Sequence, residues 1–158
     1  MIKTHTRDAQ PDEFWKPGMA ALRTMLGHRI ELESIFTQDA LELLCRESGG
    51  HPRILMMLVR NAASFASNRF PKPIDANAVA RAVNRLVSDY SRAIPEEHFA
   101  LLARVHHTKQ VKNDDDHRLM LHNLSVLEYK NGGEPWHDVH PVVRRLEKFK
   151  KAYEQLNQ

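Results

Sequence analysis

The chain has 158 residues, 42% of them hydrophobic, and 23 basic against 20 acidic side chains give a formal charge of +3. That is enough apolar material for the core of one compact domain or two small ones, and too mild a charge to call for nucleic acid by itself. No apolar run approaches the roughly 20 residues of a membrane span, and the first residues lack the apolar stretch of a secretory signal, so no membrane partner and a cytoplasmic location are expected.

Residues 1–17 are polar and Pro-containing. They read as a flexible N-terminal segment in which Phe14 and Trp15 lie against another part of the chain. Met19, Leu22, Met25 and Leu26 then recur at helical spacing. Ile30, Leu32 and either Ser34 or Ile35 alternate, which reads as an extended link. Thr37 is placed to cap a helix with Ala40, Leu41, Leu44 and Cys45 on one face, where the single cysteine packs as a small hydrophobe. Gly49-Gly50 ends that helix and Pro52 opens the next, which buries Ile54, Leu55, Leu58, Ala62, Phe65 and Ala66 before the prolines of "NRFPKP". Asp75 caps a long helix, stapled by Ile74 and Val79, whose stripe continues through Val83, Leu86, Val87 and Tyr90 towards Pro95.

After Pro95 the pattern changes. Phe99, Leu102 and Val105 face inward from one helix, "KQVKNDDD" is a polar connection, and "DHRLMLHNLSV" is a second helix. Two short β-rich runs flank Asn131-Gly132-Gly133, the strongest hairpin signal in the chain. A last helix starts with Pro141 in its first turn and sets Val142, Leu146, Phe149 and Tyr153 on one side. This is the order of a winged helix, with one core helix short or missing around residues 106–113. The expected fold is mainly α: a helical bundle over 18–94, then a winged-helix-like domain with a small β-hairpin over 95–158.

One residue conflicts with local rules. Arg53 stands in the first turn of its helix, where the macrodipole and the unpaired backbone N–H groups favour an anion. A phosphate would remove the conflict: Gly50 to Arg53 combines free N–H donors, glycines that admit a ligand and a guanidinium. Otherwise Arg53 reaches into solvent or pairs with Glu47, at a cost of a few tenths of a kcal/mol.

The run "SGGHPRILMMLVRNAASFA" resembles the sensor-2 segment of AAA+ P-loop ATPases, among them the Holliday-junction branch-migration motor and the archaeal origin-recognition ATPases. Gly50, Pro52 and Arg53 match its motif, with His51 at the variable position. "ALELLCRESGG" and "IDANAVARAVNRLVSDY" are similar to the lid helices on either side, and "LMLHNLSVLEYKNGGEPWHDVHPVVRRL" to the winged helix that follows the lid in origin-recognition and STAND-type ATPases. The resemblance covers about residues 30–147. It implies that Arg53 reaches the γ-phosphate of a nucleotide held by the preceding P-loop domain. This chain has no G-x-x-x-x-G-K-[ST] loop and no apolar strand ending in paired acids, so by itself it is no ATPase. The resemblance therefore implies a C-terminal regulatory fragment, or an independent remnant, with ATP and Mg supplied by an upstream ATPase core.

A second reading is a DNA-binding winged helix, with Lys109, Lys112, Arg118, His122 and Lys130 as the nucleic-acid or partner contacts. Asp114-Asp115-Asp116 at the start of the recognition helix would repel phosphates and instead favours the helix N-terminus. The basic run Arg144, Arg145, Lys148, Lys150 and Lys151 is broken by Glu147 and Glu154 and reads as a solvated face. A third reading is an interaction module that self-associates through the face where a core would dock. His137, His140 and Asp138, or His106-His107 with the Asp114–Asp116 run, lack metal-ligand spacing, and no nucleophile sits beside a base, so no metal or catalytic residue is expected.

Overall fold

The apolar stripes read above become helices, but Thr37, expected to cap the helix that follows it, makes no side-chain cap bond: its hydroxyl donates to the Ile74 carbonyl at 3.4 Å. The computed structural model describes residues 1–8, 13–66, 73–130 and 133–158. It is mainly helical with a small two-stranded antiparallel sheet, and it divides into two compact units, Met1–Arg85 and Leu86–Gln158.

The first unit holds α1 (Lys16–Gly27), α2 (Leu32–Ile35), α3 (Gln38–Glu47), α4 (Pro52–Ala66) and the start of α5 (Ala76–Ala93). Leu22, Leu26, Leu44, Cys45, Leu55 and Leu58 are wholly buried, which is what the helical spacing requires of them. Each such leucine contributes about 1.5–3 kcal/mol of burial. Phe65, also expected in the core, is half-buried, with the Arg81 guanidinium 4.6 Å over its ring. Asp75 caps α5 by accepting from the Ala78 N–H at 2.9 Å. Prolines 71 and 73 were expected to end α4; Pro71 falls outside the described residues.

The link over Ile30–Phe36 is a correction. Residues 32–35 form α2, with Glu33 in its first turn and the Ser34 hydroxyl donating to the Glu31 carbonyl at 3.0 Å. The extended residue is Phe36, which is buried and forms a parallel bridge to Ile74. The alternation misled because Ile30, Leu32 and Ile35 are half-buried on a single short turn, and the true core contact comes one residue later.

The second unit contains the end of α5, α6 (His98–Thr108), α7 (Asp115–His122), β1 (Val126–Tyr129), β2 (Trp136–Val139), a 3-10 turn at Val143–Arg145 and α8 (Glu147–Leu156). Val126 pairs with Val139 and Tyr129 with Trp136, whose rings stack at 4.5 Å. Of the hairpin signal, Asn131 and Gly132 lie outside the described residues. The second helix ends at His122, earlier than its sequence run, because Leu124 turns left-handed (φ 62°) to enter β1. Tyr90 fastens that turn by donating its hydroxyl to the Leu124 carbonyl at 3.0 Å.

The last helix also differs from expectation. Leu146 is extended (ψ 131°) and separates the 3-10 turn from α8. Val142, Val143, Leu146 and Phe149 are all buried, so the apolar stripe is kept across this break.

Candidate functional site

The turn between α3 and α4 holds the site residues Gly50, His51, Pro52 and Arg53. Gly49 (φ 60°) and Gly50 (φ 79°) are both left-handed, a conformation glycine adopts without penalty. Buried Ser48 organises the turn: its hydroxyl donates to the Cys45 carbonyl at 2.7 Å and accepts from the Gly50 N–H at 3.1 Å. The Gly49 N–H goes to the Arg46 carbonyl and the His51 N–H to the Ser48 carbonyl. The expectation that this turn offers free backbone donors from Gly50 onward is therefore corrected: the Gly50 and His51 donors are spent inside the turn, and Pro52 has none.

Leu55 makes the first bond of α4, its N–H to the His51 carbonyl at 3.0 Å, which leaves the Arg53 and Ile54 N–H groups ahead of the helical ladder. The other donor here is the Arg53 side chain. It is exposed and makes no hydrogen bond or ion pair among the described residues. Glu47, the partner weighed for it, is buried and pairs instead with Arg46 at 3.3 Å. His51 is half-buried, and burial first, then the Arg53 charge, hold its pKa below the usual histidine value. The start of α4, a helix of 15 residues, thus presents an exposed guanidinium beside an imidazole whose proton affinity is lowered. Such a group can take a phosphate oxygen supplied from outside the unit.

Residues 2–4 lie against the same turn, which no sequence signal announced. The Ile2 N–H donates to the Gly50 carbonyl at 3.1 Å, and the Trp15 N–H donates to the Thr4 carbonyl at 2.7 Å. Thr4 is 1% exposed. The segment expected to be flexible forms no helix or strand there, yet it is held by backbone bonds. The Lys3 ammonium sits 4.4 Å over the Trp15 ring and the Arg46 guanidinium 5.7 Å over Phe14.

The second group of site residues is dispersed by the fold. Lys109 is drawn in: it ends α6 in a left-handed conformation (φ 59°), and its ammonium binds Asp138 at 2.9 Å. Arg118 donates to Asp115 and Asn113, both at 2.9 Å, and Lys130 pairs with Glu128 at 3.2 Å. Lys112 and His122 are exposed. Asp114 caps α7 by accepting from the His117 N–H, and that bond and the His117 ring lower its pKa. In the basic run, Lys148 pairs with Glu96, and Lys150 with Glu147 at 2.5 Å.

Sequence reasoning missed one buried cluster. Asp138, 1% exposed on β2, accepts from His106 at 2.6 Å, from Lys109 and from the Val139 N–H at 2.7 Å. His106 also meets the rings of Phe149 and Tyr153 edge-on. The residues are too far apart in the chain for any spacing rule to join them. Among the described residues no group of three or more His, Cys, Asp or Glu side chains is placed to hold a metal, and no helix is long and apolar enough to cross a membrane.

No family model, curated protein or solved structure matches the chain.

Proposed function

We propose that the chain is the lid and winged-helix region of an AAA+ or STAND-like P-loop ATPase, with Arg53 as its nucleotide sensor. The observation that carries this reading is Arg53 itself: exposed, without a partner among the described residues, and placed at the start of α4 against its dipole. A γ-phosphate held by an upstream core, with Mg, would meet a guanidinium whose fork suits bidentate contact. ATP offers that contact and ADP does not, so the first unit is drawn towards the core in one nucleotide state and released in the other. Such a difference in contact is what coupling between sites requires. The second unit, read as a winged helix, then docks a partner protein and reports the state of the first.

Partner docking is favoured over DNA for the second unit by the observed pairing of its cations and by Leu119, 47% exposed on α7 beside Asp115 and Asp116. Three acidic residues at the head of that helix oppose a phosphate backbone. Duplex binding that weakens steeply with salt and is lost on Lys130→Glu would restore the DNA reading. The sensor role is tested by joining the chain to its native upstream sequence and comparing ATP turnover of wild type and Arg53→Ala. Turnover falling in the variant supports the role, and equal turnover rejects it.

A further inference from the structure

Two glycines from different elements face the same stretch of backbone. A Cβ on Gly18, in the first turn of α1, would lie 1.6 Å from the Lys3 carbonyl oxygen, and a Cβ on Gly50 would lie 1.7 Å from the Ile2 carbonyl oxygen. No side chain fits at either place while residues 2–4 are seated. Gly50 is also left-handed, which is reason enough for a glycine; Gly18 is not, and glycine is a poor helix former. Its presence in α1 is explained by the carbonyl that rests on it. The two glycines floor a slot that takes an extended main chain.

The occupant lies at the end of the chain and forms no helix or strand of its own. Its ties to the rest of the unit include the Ile2 bond to Gly50 and the Trp15 bond to Thr4, with Lys3 over the Trp15 ring and the Thr4 side chain buried. A terminal segment docked in this way opens locally before its unit unfolds. One of those bonds ends on the carbonyl of Gly50, in the turn whose next residues are His51, Pro52 and Arg53.

We propose that residues 2–4 are a detachable strap seated on Gly18 and Gly50, and that release of the strap loosens the α3–α4 turn that carries Arg53. This regulation concerns the site proposed above and rests on that reading for its functional weight. With the strap seated, the turn is clamped from outside as well as by Ser48. With it released, Gly50 loses the donor on its carbonyl and the guanidinium is carried on a more mobile turn.

Amide hydrogen exchange on the full chain tests the strap. Gly18→Ala favours the helix and obstructs the strap, its Cβ also meeting the edge of the Trp15 ring at 3.0 Å; Ile2→Pro leaves α1 and Trp15 untouched and removes the N–H that donates to Gly50. In both variants the Trp15 amide should exchange roughly tenfold faster or more, and the Gly50 and His51 amides should also speed up, while Leu58 and Ala62 in the middle of α4 keep their rates. Wild-type rates at Trp15 in both variants would overturn detachment. Equal acceleration at Leu58 would overturn it too, because the segment would then be part of the cooperative core. Fast exchange at Trp15 with unchanged Gly50 and His51 would overturn the link to the turn. Neither variant alters Arg53, so the turnover comparison with Arg53→Ala decides the nucleotide reading separately.

Discussion

A guanidinium in the first turn of a helix stands in an unfavourable field, and among the described residues Arg53 has no ion-pair partner to offset it: Glu47 is buried and pairs with Arg46. The penalty is about 0.3–1 kcal/mol, small enough to persist and large enough to be relieved by a bound anion. His51 beside it belongs to the same electrostatic setting. Burial and the Arg53 charge lower the His51 pKa below 6.5, and burial lowers that of His137 against the opposing pull of Glu128. At both sites the folded chain binds fewer protons than the unfolded one. Their contribution to stability is therefore complete above pH 6.5 and is lost below it, as pH falls through the depressed folded values. The urea midpoint should drop between about pH 7.5 and about pH 5.5, and the drop should shrink in His137→Gln. An undiminished drop would count against the assignment. Cys45 gives a simpler check. Burial pushes its thiol up to about 11, so iodoacetamide at mildly alkaline pH should leave it intact in the folded protein and modify it in urea. Rapid modification of the folded chain would show that the α3 face is open.

At the level of elements, periodicity was informative where a whole stripe is buried and misleading where it is short. The α3 and α4 stripes were legible because Ala40, Leu41, Leu44 and Cys45, and then Ile54, Leu55 and Leu58, all turn inward at helical spacing. The α2 turn was not legible, because a helix of four residues carries no period of its own. Nor was the break at Leu146, where the backbone turns extended with no glycine or proline at that position to announce it. The end of α6 shows the same limit: nothing local predicts that Lys109 will adopt a left-handed conformation. Its ammonium reaches Asp138 and its carbonyl accepts from the His137 N–H at 2.9 Å, which joins α6 to β2. Asp138→Asn removes the charge that His106 and Lys109 share, and chemical denaturation should report a loss of about 3 kcal/mol. A loss within about 0.5 kcal/mol would mean that the cluster does not hold these elements together.

For the whole molecule, the mainly helical character and the small hairpin were readable from apolar spacing and turn residues, while the surroundings of Arg53 were not. Residue order placed Arg53 beside Gly49-Gly50 and Pro52; it could not reveal that Ser48 and Ile2 occupy the polar groups of that turn. The consequence for function is a narrower site than the sequence implied, the Arg53 side chain and the first-turn N–H groups without the donors of Gly50 and His51. On the proposed reading, its selectivity comes from how far a phosphate extends from the core that would hold the rest of the nucleotide. The most direct test is the affinity of the chain, joined to its upstream sequence, for ATP and for ADP, with and without Arg53→Ala. The account predicts that the variant weakens ATP by about tenfold or more, the value of a charged hydrogen bond, and leaves ADP unchanged. Equal affinity of wild type and variant for ATP, or an equal loss for both nucleotides, would contradict it.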